Sequence, residues 1–339
     1  MMRFAPSDDQ RALREAVHDL LADRCPPASV RKAWETGSSG EEESAFDADL
    51  WKQLSEMGVL GLLAPEGSGG LGLTEIEGVL VLEEAGYAGL PAPLAEHMFV
   101  AVPALAAASS AESDHPARLL AALACGEQIA TAALPGAAVA FADIADVLVQ
   151  ARGGVVHAVR LSQAGIAVRT TVDKAYRTAD VTWRHGMELD ASDAGLLAAR
   201  GALAAAAQLV GLSVRLLELA VEHVKVRTQF GVPVGSQQAV KHHLANVRLG
   251  IEYARPVVWR AAYALAHDEP TASRDCSFAK VYAGNAAWTA AKSALQCHGA
   301  IGYSAEHDLH LFLKRVWALD AAWGTRAIHR RKVATAVIG

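Results

Sequence analysis

The spacing of hydrophobic and polar positions divides the chain into three regions. In the first third, apolar residues recur at helical spacing, as in 50–57 and 74–85, with short breaks between the segments. Ser7, followed by two aspartates, provides an N-cap for the first helix, and a Gly/Ser/Glu-rich stretch at 36–44 indicates an exposed loop. This pattern predicts an N-terminal helical domain over residues 1–126.

The pattern changes in residues 127–190. Short β-branched segments follow one another here and are separated by glycines or polar residues, which is the spacing of strands and turns. These segments lie at 147–150, 155–161, 166–171 and 181–184. The sequence therefore predicts a small middle β domain.

Residues 191–339 return to helical spacing almost throughout. A very long helix is predicted from about 194 to 227, a second from about 236 to 269 and a third from about 273 to 297, before two shorter ones. Long helices joined by short turns pack antiparallel, so this region is predicted to be a helical bundle. The fold class is therefore expected to be α+β, mainly α.

Composition and charge narrow the class of protein. The 339 residues are 52% apolar and 20% charged, and the net charge of −6 makes nucleic acid an unexpected partner. The four cysteines are scattered, as in a reduced protein. The most apolar stretch, 201–221, carries Arg215 and Glu218, which favours a buried helix over a membrane-spanning one. With no secretory signal visible, a cytoplasmic location is expected.

Several local signatures occur in a specific order along the chain. The N-terminal region contains Gly69-Gly-Leu-Gly72 and Glu83-Glu-Ala-Gly86, and the long helix ends in Arg227-Thr-Gln-Phe-Gly231. Gln296-Cys-His-Gly299 and Glu306-His-Asp-Leu-His310 follow. Together these segments resemble the acyl-CoA dehydrogenase family along almost the whole chain. The resemblance implies a helical N-terminal domain, a small β domain and a C-terminal four-helix bundle.

The resemblance also implies a reaction. Family enzymes use FAD to oxidise an acyl-CoA thioester to its 2,3-enoyl form, and a carboxylate removes the α-proton. Because an α-C–H is a poor acid, hydrogen bonds to the thioester carbonyl have to stabilise the developing enolate, and the base has to be held at reaction distance. Acyl-CoA and FAD are therefore the ligands that the resemblance implies.

One group of candidate FAD contacts follows the long helix. Arg227, Gln229 and Phe230 match the family's Arg-x-x-Phe-Gly segment, which reaches across a subunit interface to the ADP part of FAD. A guanidinium suits a pyrophosphate because it offers a fork of donors and a permanent charge. The structural alternative is an arginine that complements the macrodipole at a helix C-terminus, and both roles can hold together.

A second group of candidate FAD contacts lies in the later helices. Gln296 and Gly299 match the family's Gln-x-x-Gly-Gly turn, in which the second glycine is here Ala300, and the structural alternative for the turn is a plain helix C-cap. Gln238 matches the glutamine of the preceding helix, and Thr325 matches the threonine of the family's Glu-Gly-Thr segment.

The catalytic carboxylate is missing from both positions where the family carries it. The Glu of Glu-Gly-Thr is here Trp323, whose indole has no basic lone pair. The alternative position on the long helix falls near Gly201, again with no carboxylate. Asp320, about one helical turn from Trp323, is the remaining candidate, and an Asp there is more often a solvated or capping group.

The middle domain also departs from the family pattern. The segment that normally reads Thr-Glu-Pro-Gly-Ala-Gly-Ser-Asp is here Ala132-Ala-Leu-Pro-Gly-Ala-Ala138, and the later Trp-Ile-Thr has no equivalent, since Trp183 comes too late. Both segments hold the flavin ring in the family. The chain is therefore expected to bind the ADP end of FAD and to hold the ring poorly.

Two histidines form the one metal-like pattern. His307 and His310 are spaced to share one face of a helix, with acidic neighbours. No third distant ligand is evident from the sequence, so a structural role is expected for them and no metal site is predicted.

Three hypotheses remain open. The leading one is that the chain is the short subunit of a heteromer, in which a longer homologous partner supplies the base and the ring contacts. The second is a self-sufficient enzyme that associates with itself as a dimer or tetramer and has a relocated base at Asp320. The third is a flavin-free scaffold of the same fold. Two-chain members of the family often handle bulky CoA thioesters, such as those of steroid side chains.

Overall fold

The computed structural model describes residues 4–39, 46–109 and 114–339. Within these ranges, helices are followed by strands and then by helices again. The loop predicted at 36–44 is wrong for its first residues, because α2 continues to Ser39 and the Thr36 hydroxyl donates to the carbonyl of Lys32 inside that helix. The rest of that loop lies outside the described residues.

The N-terminal region is helical, as predicted. Its helices are α1 (Asp8–Arg24), α2 (Pro27–Ser39), α3 (Ala48–Glu56), α4 (Glu75–Ala88), α5 (Val102–Ala108) and α6 (Asp114–Ala124). The predicted N-cap of α1 is confirmed, since Ser7 forms a capping box with Gln10. A π-helical segment, Ala95–Ala101, leads into α5.

The middle region contains two small sheets. Its strands are β1 (Ala130–Ala133), β2 (Val139–Ala140), β3 (Val147–Arg152), β4 (Val155–Arg160), β5 (Gly165–Arg169), β6 (Thr178–Thr182) and β7 (Met187–Asp193). One sheet has the strand order β1-β3-β4-β7, in which β1 and β3 are parallel and the other pairs are antiparallel. The second sheet has the order β2-β6-β5 and is antiparallel.

The C-terminal region is built around one central helix. Its elements are α7 (Ala194–Val226), the hairpin strands β8 (Thr228–Gln229) and β9 (Val232–Pro233), α8 (Gln238–Ala266), α9 (Ala272–His298), α10 (Leu309–Ala321) and α11 (Arg326–Ile338). Of the most apolar window of α7, 72% is buried, so its hydrophobicity is that of a core helix packed between α4, α8, α9 and α10.

Two glycines allow α4 and α7 to cross at close range. A Cβ added at Gly86 would lie 2.1 Å from the carbonyl oxygen of Gln208, and one added at Gly211 would lie 1.8 Å from the carbonyl oxygen of Glu83. Because any side chain at either position would collide with backbone, the glycines fix how the N-terminal domain rests on the bundle.

A buried ion pair joins all three regions. The Nε of Arg315 on α10 donates to Oδ2 of Asp173 at 2.5 Å, and the two side chains are 3% and 2% exposed. Arg315 Nη1 also donates to the carbonyl oxygens of Gly89 and Leu90, at 3.1 and 2.9 Å, just after α4. One guanidinium therefore connects the bundle to the segment between β5 and β6 and to the N-terminal helices.

Replacing Arg315 with leucine is expected to lower the free energy of unfolding by about 3–5 kcal/mol, because Asp173 is left buried without its counter-charge. Urea unfolding followed by circular dichroism measures this loss. Arg330→Leu is the control, since Arg330 is exposed and contacts Asn285 at the surface; its effect is expected to stay within about 0.5 kcal/mol. A loss below about 1 kcal/mol for Arg315→Leu would contradict the role of the pair.

A neutral histidine ties the N-terminal domain to the first strand. His97 is fully buried; its Nε2 lies 3.1 Å from the carbonyl oxygen of Leu123, and the amide of Ala130 donates to its Nδ1 at 3.0 Å. Only the neutral imidazole with its proton on Nε2 makes both hydrogen bonds. Burial lowers the pKa of His97 from 6.5 to about 4, in agreement with this state.

Stability is expected to fall as the pH is lowered from 6.5 to about 4, because in this window the unfolded chain binds a proton at His97 that the folded chain does not. The loss from this residue is at most about 3 kcal/mol. In His97→Gln the side-chain amide also offers one donor and one acceptor but does not bind a proton in this pH range. The free energy of unfolding should therefore fall less steeply with pH in this variant. Urea unfolding of both proteins across this pH range tests the prediction, which parallel curves would contradict.

Candidate functional site

A cleft of about 530 Å³ lies between the middle domain and the bundle. One wall is formed by β1 and the loop that follows it, a second by residues 170–178, and a third by the end of α10 and the turn after it. Among the described residues that line the cleft, the carboxylates are those of Glu96 and Asp173, and Asp173 is paired with Arg315. The cleft is the candidate active site, because it lies where the predicted base and ring contacts would meet.

Glu96 is a buried acid held by its neighbours. It lies in the π-helical segment before α5, and the Tyr176 hydroxyl donates to its Oε1 at 2.9 Å. Burial raises the pKa of Glu96, and hydrogen bonds from its backbone and Tyr176 and the nearby charge of Arg315 oppose this effect. The carboxyl group is therefore engaged by the Tyr176 hydroxyl.

Trp323 occupies the position of the missing base and is packed against the second such position. A Cβ added at Gly201 would lie 2.0 Å from Cδ2 of the Trp323 indole, so the ring covers α7 at that glycine. Trp323 is buried and has a φ of +59°, which is unusual for a residue other than glycine. The indole therefore stands in place of a carboxylate at position 323 and fills the space that a side chain would need at position 201.

The backbone around Trp323 is fixed from α9 and α11. The ammonium of the fully buried Lys280 donates to the carbonyl oxygens of Leu319 and Ala322, at 2.5 and 2.6 Å, where α10 ends. Burial lowers the pKa of Lys280 to about 7. His329 Nε2 lies 3.0 Å from the carbonyl oxygen of Trp323. The left-handed turn is thereby held on both sides.

Asp320 is engaged elsewhere. The Trp288 indole N–H donates to its Oδ2 at 2.8 Å, and Arg326 Nε lies 2.8 Å from its Oδ1. Asp320 does not belong to the described residues that line the cleft. The carboxylate therefore stabilises the junction of α9, α10 and α11. It does not face the cleft, so it is not placed to act there as a base.

Most of the predicted FAD contacts lie at the opposite end of the bundle. Six of them are exposed there: Arg227, Gln229, Phe230, Gln238, Gln296 and Gly299. The end of α9 meets the end of α7 because the rings of His223 and His298 stack with centroids 4.2 Å apart. Phe230 is 97% exposed at the tip of the β8–β9 hairpin, with a φ of +53°. The seventh contact, Thr325, lies at the start of α11 beside Gly324, which lines the cleft.

The two sets of predicted contacts are far apart in one chain. Gly201 and Trp323 mark the cleft end of α7, and His223 and Arg227 mark its other end. At a rise of about 1.5 Å per residue, Gly201 and His223 are roughly 33 Å apart along the helix. The structure therefore brings six of the predicted contacts together and separates Thr325 from them.

The wall of the cleft formed by β1 and the loop after it, which would face a flavin ring, has few polar side chains. In the segment 132–138 the lining residues are four alanines and Leu134, so this wall consists of small apolar side chains and backbone. Thr170, Thr171 and Thr178 supply hydroxyl groups on the second wall. Trp183 is buried, and its N–H donates to Gln150 Oε1 at 3.0 Å inside the middle domain.

The histidine pattern noted in the sequence is arranged differently from expectation. His307 lies before α10, and His310 packs edge-on against Trp34 with ring centroids 5.1 Å apart. His307 meets His223 and His298 instead, so a distant third histidine does join it. Sequence spacing could not show this, because the three residues come from α7, the end of α9 and the segment before α10.

Gly201→Ala is expected to cost about 1–3 kcal/mol, because the added methyl group would collide with the Trp323 ring. In a Trp323→Ala background the same change should be neutral or stabilising by up to about 1 kcal/mol, since alanine favours a helix over glycine. A double-mutant cycle in urea unfolding measures the coupling. Gly250→Ala on α8 is the control, because the nearest atoms to its Cβ lie 3.9 Å away. Additive costs would contradict the contact.

Comparisons with known proteins identify the family. Family models of the acyl-CoA dehydrogenase N-terminal and C-terminal domains match residues 7–127 and 192–338. The chain is 35% identical over 314 residues to acyl-CoA dehydrogenase IpdE2 of Mycobacterium tuberculosis, covering 92% of each protein.

Solved structures share the fold. A chain of the ChsE4–ChsE5 complex of Mycobacterium tuberculosis matches with a TM-score of 0.86 and 22% identity over 99% of both chains. A chain of the Tcur3481–Tcur3483 steroid ACAD matches with a TM-score of 0.86 and 21% identity over 98% of both. The predicted fold class and family resemblance are confirmed, and the chain belongs to the acyl-CoA dehydrogenase family.

Proposed function

We propose that this chain is the non-catalytic subunit of a heteromeric acyl-CoA dehydrogenase that uses FAD for the 2,3-dehydrogenation of an acyl-CoA thioester. The observation that carries the proposal is the indole of Trp323 packed on Gly201, which leaves no carboxylate at either position where the family carries its base. A longer homologous chain then supplies the base and the contacts to the flavin ring.

The residues at the far end of the bundle fit the ADP part of FAD. Arg227 is exposed and offers charged donors suited to a pyrophosphate, and Gln296 offers an exposed amide. Gly299 has a φ of +62°, and a Cβ there would meet no described atom within 4 Å, so a ligand can approach its backbone closely. FAD, when bound, would supply the electron acceptor of the reaction, and Arg227 and Gln296 would hold its ADP part beside the backbone of Gly299.

The separation of the two contact sets supports a site shared between chains. Thr325 and the cleft are roughly 33 Å along α7 from the end that carries Arg227. A cofactor held by Arg227 would therefore lie far from this chain's own cleft along α7, and the contacts to its ring would come from a partner chain. The short subunit contributes the phosphate-binding end, and the partner contributes the ring-binding end and the base.

The alternatives have weaker support. A relocated base at Asp320 would have to leave both Trp288 and Arg326, and Glu96 is already held by Tyr176. A flavin-free scaffold gives no role to the exposed arginine and glutamines that the bundle brings together. Two of the structural neighbours come from two-chain complexes, one of them described as a steroid ACAD. They support a heteromer and a bulky CoA thioester as substrate.

A cytoplasmic location is part of the proposal. All four cysteines are free: Cys25 and Cys276 are buried, Cys297 is half-buried and Cys125 is exposed. An exposed free thiol suits a reducing compartment, since it would oxidise elsewhere.

The proposal predicts that the chain purified alone binds less than about one-tenth of an equivalent of FAD, because it lacks the ring contacts of the partner. Co-expression with a longer homologous chain should give a complex that retains flavin and oxidises acyl-CoA. Flavin absorbance per chain and enoyl-CoA formation are the measurements. A flavin-loaded and active assembly of this chain alone would overturn the proposal.

Two variants then assign the roles within the complex. Arg227→Ala should weaken FAD binding by about tenfold to a hundredfold, the value of a charged hydrogen-bond pair. Arg11→Ala, at an exposed arginine near the N-terminus, is the matched control and should leave FAD binding unchanged.

Asp320→Asn should leave turnover intact per bound flavin, because the base belongs to the partner. Loss of turnover with FAD retained would instead support the relocated base.

A further inference from the structure

Three imidazoles meet at the end of the bundle that carries Arg227. His223 lies on the last turn of α7, His298 ends α9, and His307 lies before α10. The ring centroids of His223 and His298 are 4.2 Å apart, those of His298 and His307 are 4.8 Å apart, and those of His223 and His307 are 6.5 Å apart. One nitrogen from each ring lies within 4.8 Å of the other two.

His298 has an unsatisfied nitrogen at the centre of this cluster. Its Nδ1 lies 2.7 Å from the carbonyl oxygen of Ala294 and donates its proton there, which leaves Nε2 as a bare lone pair. That Nε2 is buried and has no hydrogen-bond partner among the described residues. A buried polar atom without a partner costs about 1–3 kcal/mol. An imidazole fixed through Nδ1 to a backbone carbonyl is also the arrangement found where Nε2 binds a metal.

Burial favours the neutral form of two of the imidazoles, those of His298 and His223. Burial lowers the pKa of His298 to about 4, with further contributions from His223 and His307. Burial also lowers the pKa of His223, followed by the effects of His307 and Arg227. A neutral imidazole presents one nitrogen lone pair, which is what a metal ion binds. Stacked neutral histidines could be simple packing, but packing alone leaves Nε2 of His298 unsatisfied.

We propose that His223, His298 and His307 bind one divalent transition-metal ion of the Zn²⁺ class, with solvent in the fourth position. Imidazole suits Zn²⁺, Co²⁺ and Ni²⁺, and three histidines with one open position are a known Zn²⁺ ligand set. Bonds of about 2.1 Å in a tetrahedral site place the ligand nitrogens about 3.4 Å apart. The rings therefore have to close by about one ångström.

His223 and His307 are the ligands that adjust. The rings of His223 and His298 are stacked with an interplanar angle of 24°, and an ion bound to both has to lie near the plane of each ring, so the half-buried His223 ring turns out of the stack. In His307 the amide of Leu309 donates to Nδ1 at 3.1 Å, so the proton of the neutral ring is on Nε2. Binding a metal through Nε2 requires the other neutral tautomer, so the proton moves by way of solvent from Nε2 to Nδ1 and the hydrogen bond from the Leu309 amide is lost. His307 lies between helices and is only half-buried, so this ring can turn without displacing α7 or α9.

The metal would hold together the segments that carry the phosphate-binding residues. Arg227 follows His223 by one helical turn, and Gly299 directly follows His298. An ion bound by all three histidines therefore fixes the distance between Arg227 and Gly299. This consequence rests on the proposed function, whereas binding of the metal itself does not.

The test uses the full-length chain without a polyhistidine tag, stripped with a chelator, and without FAD or a partner. Calorimetric titration with Zn²⁺ should give one site per chain with a Kd of about 1 μM or tighter. Co²⁺ should give visible absorption bands of a site with nitrogen ligands. His223→Gln, at the half-buried surface ligand, should weaken Zn²⁺ binding at least about tenfold, and His298→Gln should do the same. Circular dichroism confirms that each variant is folded.

His267→Gln is the control, because His267 is exposed at the end of α8 and stacks on Tyr263 away from the cluster. It should bind Zn²⁺ as the unmodified chain does. A Kd weaker than about 100 μM, or equal Zn²⁺ affinity in His223→Gln and His298→Gln, would overturn the proposal. Inorganic pyrophosphate is titrated in parallel: stabilisation by pyrophosphate and none by Zn²⁺ would make the cluster part of an anion site and would also overturn it. Neither result depends on whether a partner chain supplies the base.

Discussion

The position of the cleft depends on the buried pair between Arg315 and Asp173. Asp173 belongs to one wall of the cleft and α10 to another, so the ion pair fixes the spacing of the two walls. The same guanidinium binds the carbonyls of Gly89 and Leu90, which anchors both walls to the N-terminal helices. A charge this deeply buried is tolerated only with all of these partners, and the three regions therefore keep one relative arrangement.

The helix α7 runs from the cleft to the opposite end of the bundle. Its glycines and alanines allow α4 and Trp323 to approach its axis, and its buried surface supports α9 and α10. At its start it meets Trp323, where a related enzyme would hold a base. At its end it meets α9 and positions Arg227. Under the proposed function, one helix separates the position that lacks a base from the residues that would bind phosphates, which is the division of labour expected of a subunit that completes another chain's site.

The order of the elements and the family could be predicted from the sequence, because both depend on patterns within short segments of the chain. The spacing of apolar residues located α7, α8 and α9 to within a few residues, and the absence of a carboxylate at Trp323 was visible in the residue itself. Contacts between distant segments were not visible. Nothing in the sequence places the Trp323 ring on Gly201, and the His223 contact with His298 depends on how α7 and α9 lie side by side. The loop predicted at 36–44 shows that prediction from short segments also fails at helix ends, because α2 continues through a glycine and two serines that are typical of loops.

The contact between Gly201 and Trp323 has an evolutionary consequence. Returning a glutamate to position 323 would remove the indole and leave a cavity beside Gly201, at a cost of several kcal/mol (about 3–5 for the loss of a buried aromatic ring). Enlarging residue 201 first would collide with the ring. Each single step therefore passes through a less stable protein, although the two together need not. Under the proposed function, such a pair makes both the loss of catalysis and the dependence on a partner chain difficult to reverse.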